Sequence, residues 1–274
     1  MAYEYQGEGA LDYFPCRYGT SKLLFRGPRR KLEGDYVAVI GGTETYGKFV
    51  EKPFPALVED GLGMPVVNFG YVNAGLDVFL QEPVVLDACA SAKVTVIQLI
   101  GAQNMSNRFY AVHPRRNDRF LRASTLMKTV FREVDFTEYH FTRHMLSHMK
   151  TNFPDKYAIL ENELKTAWVA RMKGLLQKFE GPTVLLWLED HRPPGREKDT
   201  LGVDPLMVDE EMVAEIRPYA TQLVRVCPTH AARIQGTAGM RFAPLDEPAA
   251  AEMPGPAVHA EIADTLLPVV RELA

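Results

Sequence analysis

The stretch VAVIGGTETYGKFVEKPFPALVEDGLGMPVVNFG, residues 37–70, reads as a strand, a glycine turn, a short helix and a second strand. Its turn admits two incompatible chemistries. Gly42 and Gly47-Lys48 fit G-x-x-x-x-G-K, the outline of a loop whose backbone N–H groups cradle phosphates. The same residues, Gly41-Gly42-Thr43-Glu44-Thr45-Tyr46-Gly47, also place a hydroxyl, that of Thr43, directly after the strand, where a nucleophile can be held. A phosphate loop needs Ser or Thr after its lysine to reach magnesium, and here Phe49 stands in that place. Pro53 and Pro55 then interrupt the segment in which a phosphate-binding helix would run on. The nucleophile turn is therefore preferred, with the phosphate cradle as its rival.

Outward from this stretch, short apolar runs stand at 36–40, 65–69, 94–100, 183–188 and 222–227, rich in Val, Ile and Leu with little alternation. That is the pattern of strands buried on both faces of a parallel sheet. Helical stretches lie between them at 54–61, 77–91 and 208–220, and a last one spans 259–273 after a Pro- and Ala-rich loop at 243–256. The alternation predicts a three-layer α/β/α sandwich around a five-stranded parallel sheet, in a single domain of residues 1–274. The third crossover is longer than a crossover needs. Residues 105–181 therefore read as a helical insertion, with helical patterns at 120–150 and 156–179, a break at 151–154, and Met145, Met149 and Met172 in its core. Tyr13, Phe14, Arg17, Tyr18 and Phe25 of the N-terminal stretch are expected to pack across the bottom of the sheet.

Bulk properties narrow the partners. A net charge of -4, with basic clusters only at residues 26–31 and at Arg115-Arg116, leaves no basic stripe for a phosphate backbone, so nucleic acid is excluded. The opening Met-Ala-Tyr-Glu-Tyr-Gln has no basic segment leading into an apolar run, and no apolar stretch approaches the roughly 20 residues that span a bilayer. Cys16, Cys89 and Cys227 are odd in number and lack metal spacing, which fits a reducing compartment. The expectation is a cytoplasmic protein with a small-molecule or carbohydrate substrate, no cofactor, and a homodimer left open.

The pieces from Gly41 to Gly75 carry a resemblance. After the glycine turn come Phe54-Pro55-Ala56-Leu57-Val58-Glu59, then Val66-Val67-Asn68-Phe69-Gly70, then Asn73-Ala74-Gly75. In order and spacing these resemble the SGNH/GDSL hydrolases, whose blocks are G-D-S-x-T-x-G, F-P-x-L-L-E and N-x-G followed by a further glycine. Gln103-Asn104 after the third strand is similar to that family's G-x-N-D block, and Pro256-Ala257-Val258-His259 to its D-x-x-H block. Thr43 stands where the family has serine, and Pro256 where it has aspartate.

The resemblance implies a flavodoxin-like sheet and an esterase or O-acyltransferase acting on an ester or acyl linkage of a small or carbohydrate metabolite. Thr43 would attack and His259 take the proton. An oxyanion hole would form from backbone N–H groups at Thr43 and at Asn73 or Gly75, with the amide of Gln103 or Asn104; Gly42 and Lys48 would complete the substrate site. The orienting acid stays open among Asp246, Glu247, Glu44 and Asp190. Alternatives remain: a catalytically silent binding protein on the same fold, the same fold adapted to a different transfer reaction with Lys48, Arg17 or Arg108 holding an anionic group, and a nucleotide- or phosphosulfate-dependent transferase using the phosphate loop.

Two further groups stand out. Asp190-His191-Arg192 closes the fourth strand of the sheet with an acid, a base and a cation, which makes His191 the rival to His259 as base. His140, His144 and His148 recur every four residues and would share one helix face, where solvation or bonding to acids such as Glu138 is expected and no metal is assigned. His113 and His230 read as surface residues.

Overall fold

The computed structural model describes residues 9–194 and 200–274, so the opening hexapeptide read above lies outside the described residues. Its strands are β1 (Val37–Gly41), β2 (Val66–Gly70), β3 (Val94–Gln98), β4 (Tyr110–His113), β5 (Arg116–Ala123), β6 (Thr183–Leu188) and β7 (Gln222–Val226). Five of them form one parallel sheet in the order β2-β1-β3-β6-β7. Counting only its own strands, this is the flavodoxin-like order 2-1-3-4-5, with the chain reversing direction across the sheet between β1 and β3.

The helices are α1 (Thr43–Tyr46), α2 (Phe54–Leu62), α3 (Leu76–Leu80), α4 (Pro83–Ser91), α5 (Thr125–Val130), α6 (Thr142–Asn152), α7 (Pro154–Leu176), α8 (Glu210–Ile216), α9 (His230–Arg233), α10 (Glu247–Ala250) and α11 (Pro256–Leu273). They cover both faces of the sheet. Alternate side chains of each strand feed two separate cores, since successive residues of a strand point to opposite faces. Ala38, Ile40, Ile97, Leu185 and Trp187 pack with α3, α4, α7 and α8. Val37, Val39, Val94, Val96, Val184 and Leu186 pack with α2 and α11. This is the three-layer sandwich, and burial on both sides explains why its strands read as unbroken apolar runs.

The long third crossover is not helical throughout. Its first part is an antiparallel hairpin of β4 and β5, followed by α5, α6 and α7. Phe120, expected to begin a helix, lies in β5, because Tyr110, Val112, Phe120 and Ala123 fill one face of a strand pair. The helix break falls at Phe153, where Pro154 opens α7. The helix expected over 77–91 is divided for a similar reason, as Pro83 begins a new helix.

Trp168 of α7 is fully buried and its indole N–H donates to the Ile100 carbonyl at 2.8 Å, tying the crossover helix to the exit of β3. The N-terminal stretch packs beside the β2 edge, where Tyr18 and Phe25 meet Phe69. No helix among the described residues is long and apolar enough to cross a membrane.

Candidate functional site

A cavity of about 590 Å³ opens where β1, β3 and β6 end, at the reversal of strand order. In open parallel sheets this is where the two flanking crossovers diverge and leave a crevice. Its described wall includes Gly42, Thr43, Glu44, Asn73, Gln98, Gln103, Asn104, Asp118, Thr142, Arg143, His144 and His191.

The glycine turn is built for close approach. A Cβ on Gly41 would stand 2.2 Å from the Thr45 hydroxyl oxygen and 2.5 Å from the Gln98 amide oxygen. Gln98, the polar end of an otherwise apolar strand, uses that space: its Oε1 accepts from Gly42 N–H at 3.0 Å and from the Thr45 hydroxyl at 2.5 Å, while its Nε2 donates to Glu44 at 2.9 Å. One buried amide thus fixes the turn and aims the Glu44 carboxylate. Gly47 ends α1 in the left-handed region, at φ 72°.

The turn forms no phosphate cradle. Past Gly47 no helix begins until Phe54, and the carbonyls of Tyr46, Gly47, Val50 and Glu51 all accept from the buried Arg26 guanidinium. A loop that turns its carbonyls onto a cation is the inverse of one presenting N–H groups to an anion.

Thr43 is buried, and its hydroxyl accepts the Asn73 backbone N–H at 2.9 Å and donates to Asn73 Oδ1 at 3.5 Å. Asn73 itself adopts a left-handed backbone, φ 55°, and its amide donates to Asp118 at 3.3 Å. Asn104 is held between two neighbours, donating to the Asn73 carbonyl at 3.4 Å and accepting from the Thr142 hydroxyl at 2.6 Å. Gln103 lines the cavity with a buried amide oxygen that has no hydrogen-bond partner among the described residues.

Gly75 packs so tightly on Asn104 that a Cβ would lie 1.5 Å from its carbonyl oxygen. Its N–H, expected as an oxyanion donor, is instead taken by Asn117 Oδ1 at 2.9 Å. That asparagine comes from the hairpin, also accepts from Val78, and holds the turn before α3 closed.

The two histidines proposed as bases part company here. His191 is buried and lines the cavity; its Nε2 lies 3.1 Å from the Glu252 carbonyl, which can only accept, so Nε2 carries the proton and Nδ1 is the bare nitrogen. Burial holds its pKa below the usual value, and the nearby Glu44, Asp204 and Asp190 carboxylates oppose that. His259 is fully buried and is not part of the cavity wall. Its Nδ1 accepts the Phe54 N–H at 3.1 Å, its ring stacks on that phenylalanine 5.9 Å away, and its Nε2 has no partner. It caps the open N-terminus of α2 from the side of α11. Burial pushes its pKa down to about 3, with Arg26 and His191 adding to the shift.

The remaining candidates are dispersed. Asp190 accepts from the Arg192 side chain at 3.0 Å and lies 3.8 Å from Arg233; burial raises its pKa, but these arginines bring it below the usual range, so it forms a closed ion cluster beside the cavity. Lys48 sits outside the wall with its ammonium 4.6 Å from the Phe49 ring, Arg17 is exposed, and Arg108 is paired to Glu163. His140 precedes α6, His144 faces the cavity beside Tyr139, and His148 bonds the Tyr139 hydroxyl, so the three do not share one helix face. Among the described residues no cluster of three His, Cys, Asp or Glu side chains has the arrangement to hold a metal.

Sheet order and cavity together define a three-layer α/β protein with a polar crevice at its switch point. The chain belongs to the family described as Domain of unknown function (DUF6473), whose model matches residues 1–274. No curated protein and no solved structure matches it.

Proposed function

We propose that the protein is an SGNH-like esterase or O-acyltransferase in which Thr43 is the nucleophile and His191, not His259, takes its proton. The observation that supports this is the meeting of Thr43 and His191 at one cavity, with His191 held neutral by burial and its proton fixed on Nε2. A base must be neutral and have a free lone pair, and Nδ1 meets both conditions; a rotation of the Thr43 side chain away from Asn73 would bring the hydroxyl to it.

In the reaction Thr43 Oγ1 bonds to the acyl carbon, its proton passes to His191 Nδ1, and that nitrogen returns it to the departing alkoxide. Water then cleaves the acyl-threonine, or an acceptor alcohol takes up the acyl group. The Asn73 N–H, which donates to Thr43 Oγ1, lies beside the nucleophile and would supply a donor for the oxyanion as it forms. Glu44, positioned by Gln98, is the carboxylate that favours protonated His191 during the transfer. The separate, unpaired cysteines Cys16, Cys89 and Cys227 support a reducing, cytoplasmic setting for this chemistry.

One observation favours a second reading, a binding site without turnover. The Thr43 hydroxyl contacts Asn73 and no imidazole, and its methyl restricts the χ1 rotation that would bring it to one. Turnover of 4-nitrophenyl acetate decides between them. The enzyme reading expects release of nitrophenolate that Thr43→Ala abolishes; a wild-type protein with no release above buffer establishes the binding reading instead.

A further inference from the structure

Four polar groups left over at the cavity wall are acceptors. Among the described residues Glu44 and Asp118 each receive a single amide donor, from Gln98 Nε2 at 2.9 Å and Asn73 Nδ2 at 3.3 Å, and neither has a cationic partner. The Gln103 amide oxygen has no donor among them. His191, more than nine-tenths buried, spends only Nε2 on the protein and leaves Nδ1 as a bare acceptor. Among the described residues the wall's one arginine, Arg143, is bonded to both Asp204 oxygens, at 3.2 and 3.3 Å. Asn73, Gln98 and Asn104 each spend an amide N–H on a protein acceptor.

A pocket's ligand supplies what its walls lack, because an acceptor desolvated without a donor costs about 1–3 kcal/mol and a carboxylate more. What Glu44, Asp118, Gln103 Oε1 and His191 Nδ1 call for is N–H and O–H donors and a positive charge. A phosphate, sulfate or carboxylate ligand would instead face two carboxylates and two bare acceptors. Phe141, half exposed at the same wall, adds an apolar face for a ligand's carbon skeleton.

We propose that the substrate of this cavity is a cationic, donor-rich small molecule, an ester of an amino alcohol or amino sugar, whose ammonium lies between Glu44 and Asp118. This rests on the esterase reading only for the word ester; recognition of the ammonium stands apart from the chemistry. The test accordingly uses binding, measured by titration calorimetry on the Thr43→Ala protein, which cannot turn over. The probes are glucosamine, glucose and glucuronate, matched in size and differing in charge.

Glucosamine should bind at least tenfold more tightly than glucose, glucuronate should not bind detectably, and the glucosamine preference should shrink as salt rises. The preference should fall toward unity in Glu44→Gln and in Asp118→Asn, two variants on separate elements. Equal affinity for glucosamine and glucose, or tighter binding of glucuronate, overturns the proposal from the unsubstituted carboxylates alone, whether or not either variant folds. A glucosamine preference without any ester turnover in wild type keeps the ammonium site and discards the esterase.

Discussion

His191 and His259 differ in sequence context far less than in fate. Each stands next to an element end, each is buried, and each has its pKa driven down by burial. His191 follows β6 at the carboxyl edge of the sheet and enters the cavity. His259 sits one turn into α11, on the face of the sheet where Phe54, Val258 and Ile262 form a core, and its acceptor nitrogen serves the backbone of α2. A histidine becomes usable in chemistry when one nitrogen is pinned and the other is left toward a ligand. In His259 the pinned nitrogen is the lone pair itself, and the remaining N–H is enclosed.

The largest effect expected from this contrast is in rate. His191→Ala should lower ester turnover by about a thousandfold or more, the loss usual for one member of a nucleophile–base pair. His259→Asn, which keeps an acceptor for the Phe54 N–H, should stay within a few-fold of wild type. Steady-state hydrolysis by the two purified variants measures this, and the reverse ranking would remove the distinction between the histidines.

Next comes stability. His259→Ala deletes a stacked, fully buried ring and orphans the Phe54 N–H, and should cost about 2–4 kcal/mol in urea unfolding. Thr43→Ala, in a cavity wall that leaves room for the change, should cost about 1 kcal/mol or less. Comparable losses would mean that the two positions are equally structural.

The contrast extends to pH dependence, where no loss is expected at neutral pH. The unfolded chain's His259 takes a proton near 6.5 and the folded one only near 3. Its contribution is therefore fully present above about pH 6.5, and it is lost on acidification at about 1.4 kcal/mol per pH unit as the unfolded state binds a proton that the native state refuses. His191, shifted in the same direction, adds to this slope. His259→Asn should flatten the wild-type curve below pH 6.5 by roughly one proton's worth; parallel curves for the two proteins would show that the imidazole is not enclosed.

The same contrast explains what was legible in the sequence. The five sheet strands could be read because burial on both faces makes each an apolar run, and 183–188 coincides with β6. The hairpin could not, since its arginines Arg115, Arg116, Arg119 and Arg122 interrupt any apolar period and its buried side chains are set by a bulged register. At the site, the rule that ligands meet the carboxyl ends of strands points to Thr43, Asn73, Asn104, Asp190 and His259, of which Thr43, Asn73 and Asn104 line the cavity. The rule specifies an edge and not a face, so it could not separate His259 from them. Asp118, Asn117 and Thr142 reach the site from the hairpin and α6, whose placement over the sheet depends on tertiary packing. Gln98 left one visible trace, a lone polar residue ending an apolar strand.

The most direct test of the Thr43–His191 pairing is the mass of the protein after exposure to a fluorophosphonate, with the adduct located by peptide sequencing. A single adduct on Thr43, retained in His259→Asn and absent in His191→Ala, is the expected result. An adduct on another residue, no adduct at all, or labelling that survives in His191→Ala and disappears in His259→Asn would contradict it.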